Sequence, residues 1–237
     1  MNRALKVTRL HLNKWENIVA TPPGILAVVL VVSIVIQLAI LRATGMTPET
    51  PGYIESARYN SGVVWSLPGF LIYYGVQAVA MTYPFALALG TTRRNFIVGT
   101  LLANVLQSAY TALLLLALLG VELATGHWFA GVYVLDVYAL GSGNPLLLLL
   151  LAFSGTLFCL TTGGLFGAVW VRFGSRGPLV LGLVLGLSLA LTVLIVAPSI
   201  ANILAGLSYG RFLTGVGVVI LLAIVGTWFA MRRASVR

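Results

Sequence analysis

The chain has 237 residues, of which 59% are hydrophobic and only 8% charged, against the roughly 25% charged residues of a soluble domain, so a water-soluble fold is excluded. The formal net charge of +9 comes from Lys and Arg residues placed between apolar segments; it forms no continuous basic patch for nucleic acid and belongs to membrane topology. The single cysteine, Cys159, lies inside an apolar run, which excludes an intramolecular disulfide and a cysteine metal cluster and makes it a packing residue.

The first element is an amphipathic helix over residues 3–19. On a 100° wheel Ala4, Leu5, Leu12, Trp15, Ile18 and Val19 share one arc, Arg3, Lys6, Arg9, Asn13 and Asn17 lie opposite, and Leu10 is the one violation. Such a helix lies in the membrane interface, apolar arc in lipid and basic arc among headgroups. It serves either as a topology anchor or as an elbow helix that also braces a partner. Thr21, Pro22, Pro23 and Gly24 are expected to break it. The basic start is too long for a cleaved signal peptide, so the first span is expected to stay.

Apolar stretches long enough for a hydrocarbon core of roughly 30 Å place spans at Gly24–Leu41, Val63–Leu89, Val98–Val121, Leu146–Val171, Leu179–Ala197 and Leu213–Met231. This divides the chain into an interfacial helix (1–23), a transmembrane domain (24–231) and a short tail (232–237). Lys and Arg number eleven in the N-terminal segment, the second and fourth connections and the tail, against three in the first, third and fifth connections. The positive-inside rule then puts both termini on the cytoplasmic side of an inner membrane. Trp65, Trp128, Phe129, Tyr133, Trp170 and Trp228 sit near span ends, as interfacial anchors do.

Span two carries Tyr73 and Gln77, with Met81 adjacent and Pro84 expected to kink the helix. It leads into Ala88-Leu89-Gly90-Thr91-Thr92-Arg93-Arg94-Asn95-Phe96-Ile97-Val98-Gly99-Thr100. There Gly90 stops the helix, Thr91 or Thr92 caps a new turn, Arg93 and Arg94 project from a short helix, and Phe96 tucks beneath. The plain alternative is a positive-inside turn, which accounts for the arginines but not for the Gly-Thr-Thr start. In span three, Asn104, Gln107, Ser108 and Thr111 follow i, i+3, i+4, i+7 and share a face that must meet protein or water rather than lipid. Interhelical bonding is the first reading and a substrate path the second. Glu122, at the end of span three, is expected to be an exposed boundary carboxylate. Gly163 with Gly167, Gly164 with Ala168, and Gly182 with Gly186 have small-xxx-small spacing, for packing within the subunit or, as the second choice, for a dimer seam. Arg172 and Arg176 flank the turn between spans four and five as a topology signal or a second partner contact. Pro198–Phe212 has room for one or two helical turns around Ile200–Leu207.

Little in the sequence supports catalysis. No Lys follows position 14, so no G-x-x-x-x-G-K-[ST] phosphate loop exists and the chain does not hydrolyse ATP. His11 and His127 fall on opposite sides of the membrane, no H-E-x-x-H motif or paired intramembrane acid occurs, and no acid lies deep in a span as a proton relay would need. Neither histidine has an evident serine partner. No enzyme activity, metal or cofactor is expected of this chain itself.

The interfacial helix, the six-span N-in layout, the segment ALGTTRRNFIVGT and the short polar tail together resemble the permease subunits of ABC-2 type ATP-binding-cassette transporters, especially actinobacterial ones. The resemblance implies an all-α, type V exporter-like membrane domain that works as a dimer with a second copy or a paralogue. Separate ATPase subunits would hold ATP and Mg. It implies that Gly90, Thr91, Thr92, Arg93, Arg94, Asn95 and Phe96 form the coupling helix against the ATPase, and that Tyr73 and Gln77 lie beside the central pathway. Export is the expected direction, of a cargo the sequence does not name. The competing readings are a substrate-capture subunit of a vitamin-type uptake system, with a ligand pocket in one chain and no coupling loop, and a non-transporting membrane adaptor.

Overall fold

The computed structural model describes residues 3–13 and 15–232. Lys14, the tail from 233 onward and the side chains of Arg3 and Asn17, which carry part of the expected basic charge and polar arc, lie outside the described residues.

Among the described residues there is no strand, and six helical stretches are long and apolar enough to cross a membrane. The chain is thus an all-α, multi-pass membrane protein. In order the helices are α1 (Arg3–Leu12), α2 (Thr21–Thr44), α3 (Pro51–Ala57), α4 (Gly62–Ser66), α5 (Pro68–Ala80), α6 (Thr82–Ala88), α7 (Arg93–Ala124), α8 (Pro145–Phe173), α9 (Arg176–Val196), α10 (Ile200–Ala205) and α11 (Tyr209–Arg232). Spans one, three, four, five and six correspond to α2, α7, α8, α9 and α11. Except at the C-terminal end of α9, which stops one residue short of Ala197, these helices run past the expected apolar ends because backbone groups keep their helical partners through the interface. Span two is α4, α5 and α6 in succession. Its interruption at Met81 lies one turn before Pro84, whose ring nitrogen cannot donate to the Ala80 carbonyl. The short helix α10 matches the turn or two expected between spans five and six.

The N-terminal region departs from expectation. Helix α1 ends at Leu12, and a π-helical turn at Glu16–Ala20 follows. Pro22 and Pro23 do not break a helix but start α2, where a missing N–H costs nothing. Ala4, Val7 and Thr8 of α1 are buried, while Leu5, Lys6, Arg9, Leu12 and Trp15 are exposed. The helix therefore has three faces rather than two, and Ala4 belongs to the face that packs on protein. Gly99 of α7 makes that contact possible: a Cβ there would lie 2.6 Å from the Ala4 carbonyl oxygen. Thr8 Oγ1 donates to the Gly99 carbonyl at 3.0 Å.

The chain forms two compact units. One comprises residues up to 8, 72–101 and from 158 onward; the other comprises 9–71 and 102–157. All five acidic residues, Glu16, Glu49, Glu55, Glu122 and Asp136, belong to the second unit, so the first contains no carboxylate side chain. In the first unit Val79, Tyr83, Ala86, Phe96, Ile97, Ala168 and Met231 form a hydrophobic core with Val7.

Candidate functional site

The Gly90–Phe96 loop is built by two successive caps. At the end of α6, Gly90 adopts φ +77°, where a side chain would be strained. The Gly90 N–H donates to the Leu87 carbonyl at 2.9 Å and the Thr91 N–H to the Ala86 carbonyl at 3.1 Å, the paired bonds of a Schellman stop. Thr92 then caps α7, its Oγ1 accepting the Asn95 N–H at 3.3 Å and its carbonyl the Phe96 N–H at 2.9 Å. The structure thus selects Thr92 over Thr91 as the cap. Arg93 and Arg94 are the first residues of the long α7, not of a separate short helix, because the cap is followed by an uninterrupted helical sequence.

Phe96 is fully buried, edge-on to the Tyr83 ring at 5.2 Å between centroids. Its burial leaves Gly90, Thr92, Arg93 and Arg94 on the exposed rim. The two arginines differ. Arg93 donates to the Arg232 carbonyl at 2.7 Å, at the end of α11, whereas Arg94 has no partner among the described residues. Arg172 donates to the Phe229 carbonyl at 3.1 Å, so two guanidinium groups satisfy two of the last four carbonyls of α11 and lie at its negative dipole end.

The candidate path residues fall into two classes. Tyr73 is exposed and Gln77 half-buried on one face of α5, where the Gln77 amide donates to the Tyr73 hydroxyl. By contrast Asn104, Gln107, Ser108 and Thr111 are all buried. Gln107 Nε2 donates to the Ile18 carbonyl at 3.1 Å, while Ser108 and Thr111 bond back to the carbonyls of Asn104 and Gln107. With Tyr110 donating to the Val19 carbonyl at 2.8 Å, Gln107 holds the π-helical turn by two of its carbonyls. Of the four, Gln107 bonds to another segment, while the bonds of Ser108 and Thr111 stay within α7.

No family model, curated protein or solved structure matches this chain.

The second unit holds a polar network that sequence reasoning missed. Glu122 is 0% exposed rather than an exposed boundary carboxylate. Its Oε1 accepts the N–H groups of Val134 and Asp136, each at 3.1 Å. Its Oε2 accepts the Leu135 N–H at 2.8 Å and the Trp128 indole N–H at 3.1 Å. Four donors on one carboxylate replace the hydration it loses on burial. Asp136 Oδ2 in turn receives Arg58 at 2.9 Å and lies 3.1 Å from His127 Nε2. Gln37 of α2 clamps Tyr133 at both backbone groups, accepting its N–H at 2.9 Å and donating to its carbonyl at 2.7 Å. The Tyr53 hydroxyl shares its one proton between Gln37 Oε1 and the Gly131 carbonyl oxygen, each at 3.1 Å.

These bonds pin the connection between α7 and α8. His127, Trp128 and Phe129 there have φ of 60°, 58° and 60°, a left-handed run costing about 1–2 kcal/mol per residue. The bonds from Glu122, Gln37 and Asp136 hold it in place. Trp128 and Tyr133 have bonds within the protein: the Trp128 indole donates to a buried carboxylate, the Tyr133 backbone is held by Gln37, and burial pushes the Tyr133 phenol pKa up. Phe129, 87% exposed, keeps an outward position. The available signal was Gln37, which shares an otherwise apolar span only with Ser33, and the grouping of Glu122, His127 and Asp136 in one connection. The network is a strut, with both Glu122 oxygens committed, and no group of three metal-ligating side chains occurs among the described residues.

Proposed function

We propose that the chain is the membrane-spanning permease subunit of an ATP-binding-cassette transporter, an exporter of the ABC-2 type. It forms the substrate pathway with a second copy or a paralogue and is driven by separate ATPase subunits that bind ATP and Mg. In this reading the protein sits in the bacterial inner membrane with both termini cytoplasmic. The observation that carries it is the construction of the Gly90–Phe96 loop. Two caps and a buried Phe96 make a firm base under an exposed Thr92-Arg93-Arg94 rim, more structure than a plain topology turn requires. Such a rim suits an acidic groove on a soluble partner, and it belongs to a unit that has no carboxylate of its own to neutralise it. The Arg93 bond to the end of α11 gives a push on the loop a direct route to the last span. The pair of exposed Tyr73 and half-buried Gln77 on a membrane-spanning helix supports a pathway, since amide and hydroxyl groups there need protein or water opposite.

The test is co-purification from native membranes followed by charge reversal. An ATPase subunit is expected to accompany the wild-type chain. Arg93→Glu with Arg94→Glu is expected to weaken that association at least tenfold, or about 1.4 kcal/mol, and to abolish stimulated ATP turnover. Arg94→Glu alone should reproduce most of the association loss, because Arg94 has no internal bond to lose. An unchanged complex with the double variant removes the docking assignment, and absence of any ATPase removes the transporter reading.

A further inference from the structure

The hairpin between α8 and α9 contains an open groove of about 440 Å3. Its walls include Val169 and Phe173 of α8 and Gly177, Val180 and Val184 of α9, and its one charged lining residue is Arg176. Gly174, at φ +72°, reverses the chain. A Cβ on Gly177 would lie 2.9 Å from Phe173 Cβ and 3.0 Å from the Val169 carbonyl oxygen, so the two helices touch there. From Gly177 to Val184 the groove follows α9 for about 10 Å at 1.5 Å per residue. No residue of α9 is buried.

Depth and charge identify the occupant. With 29 residues α8 is about 43 Å long, more than a hydrocarbon core of roughly 30 Å, so its ends reach the headgroup layer. Arg176 stands at that end, where an arginine keeps its guanidinium in the polar layer while its stem lies along apolar surface. It makes no hydrogen bond or ion pair with any described residue, and its unit has no acidic side chain to offer it one. A zwitterionic lipid offers the same phosphate but brings its own cation beside it, so the charge of Arg176 stays uncompensated, and a small soluble anion would leave the apolar groove empty.

We propose that this groove binds one anionic phospholipid, with an acyl chain along Val169, Phe173, Val180 and Val184 and the phosphate on Arg176. The site is independent of any ATPase and requires only that the chain span a membrane.

The test uses the full chain in neutral detergent, titrated with phosphatidylglycerol, phosphatidylcholine or inorganic phosphate, with retained adducts counted by native mass spectrometry. One phosphatidylglycerol is expected to be held at least tenfold more tightly than phosphatidylcholine, without displacement by equimolar phosphate. Arg176→Gln is expected to cut that preference to threefold or less, Arg176→Lys to keep most of it, and Arg94→Gln, another unpaired arginine of the same unit, to leave it unchanged. Val180→Trp, which fills the groove, should lower retention of the lipid with Arg176 intact. Equal retention of the two lipids overturns the site. So does equal loss of preference on removing either arginine, which reduces the effect to general attraction. Displacement by phosphate makes it a free-anion site, and tight retention by Val180→Trp shows that no chain occupies the groove.

Discussion

Glu122→Ala is expected to destabilise the protein by about 3–5 kcal/mol, the range for removing one partner from a buried, hydrogen-bonded charge arrangement. The carboxylate accepts three consecutive backbone N–H groups, from Val134, Leu135 and Asp136, and the Trp128 indole. Alanine leaves all four donors without an acceptor in a site water does not reach, and each unsatisfied donor costs about 1–3 kcal/mol. The connection from 125 to 144 also contains the left-handed run at His127–Phe129, so its strain would no longer be opposed. At about 2–4 °C per kcal/mol for a chain of this length, the melting temperature in detergent should fall by about 10 °C. Limited proteolysis should cut first near Phe129. Glu122→Gln retains one carbonyl oxygen and turns an NH2 group toward two donors, so its cost should be smaller, about 2 kcal/mol. A melting temperature for Glu122→Ala within a degree or so of wild type would mean that the carboxylate does not hold this connection.

Gly163→Ala should be the most damaging single-methyl change in the membrane-spanning helices. A Cβ at position 163 would lie 2.2 Å from the Ile72 carbonyl oxygen and 3.0 Å from the Gly75 Cα. Gly75 and Gly167 make the contact reciprocal, since their added Cβ atoms would meet the carbonyl oxygens of Leu160 and Val76 at 2.5 and 2.6 Å. Here α5 and α8 approach backbone to backbone, the close packing that small residues permit where lipid gives no hydrophobic drive to association. The obstacle is main chain, which cannot rotate aside, so alanine should cost about 3 kcal/mol and leucine should prevent folding. Gly164 supplies the internal comparison: its Cβ would meet Val79 Cγ2 at 3.6 Å, an ordinary contact. Gly164→Ala should therefore be neutral, or gain the roughly 0.5–1 kcal/mol that alanine has over glycine within a helix. Equal unfolding free energies for the two variants, measured by denaturant titration in mixed micelles, would mean that the close approach carries no energetic weight.

The same glycines show where sequence spacing stops being informative. Gly163–Gly167 and Gly182–Gly186 have identical small-xxx-small spacing, yet the first pair packs on α5 within the subunit. The second meets nothing closer than the Phe166 ring at 3.9 Å from an added Cβ on Gly182, and Gly186 faces open space. The spacing states that close approach is permitted; the facing helix decides whether it happens. The polar stripe of span three is similar. Periodicity put Asn104, Gln107, Ser108 and Thr111 on one face and required polar partners for it, but the partner of Gln107, the carbonyl of Ile18 in a π-helical turn, is 89 residues away in sequence.

Solvent and local chemistry determined what the sequence could state alone. A chain this apolar has to be helical in a membrane, because each backbone polar group needs a partner within its own segment. That constraint, with the spacing of basic residues and of Gly90, Thr92 and Phe96, placed the six spans, the Gly90 stop and the buried Phe96 before any coordinates. Tertiary structure alone decided the fate of the rare polar groups: Glu122 buried rather than exposed, Gln37 clamping Tyr133, Arg93 on the end of α11 and Arg94 left outward. Each of those outcomes depends on which donor or acceptor a distant segment brings within about 3 Å, and a single unmet buried charge costs more than any local propensity can offset.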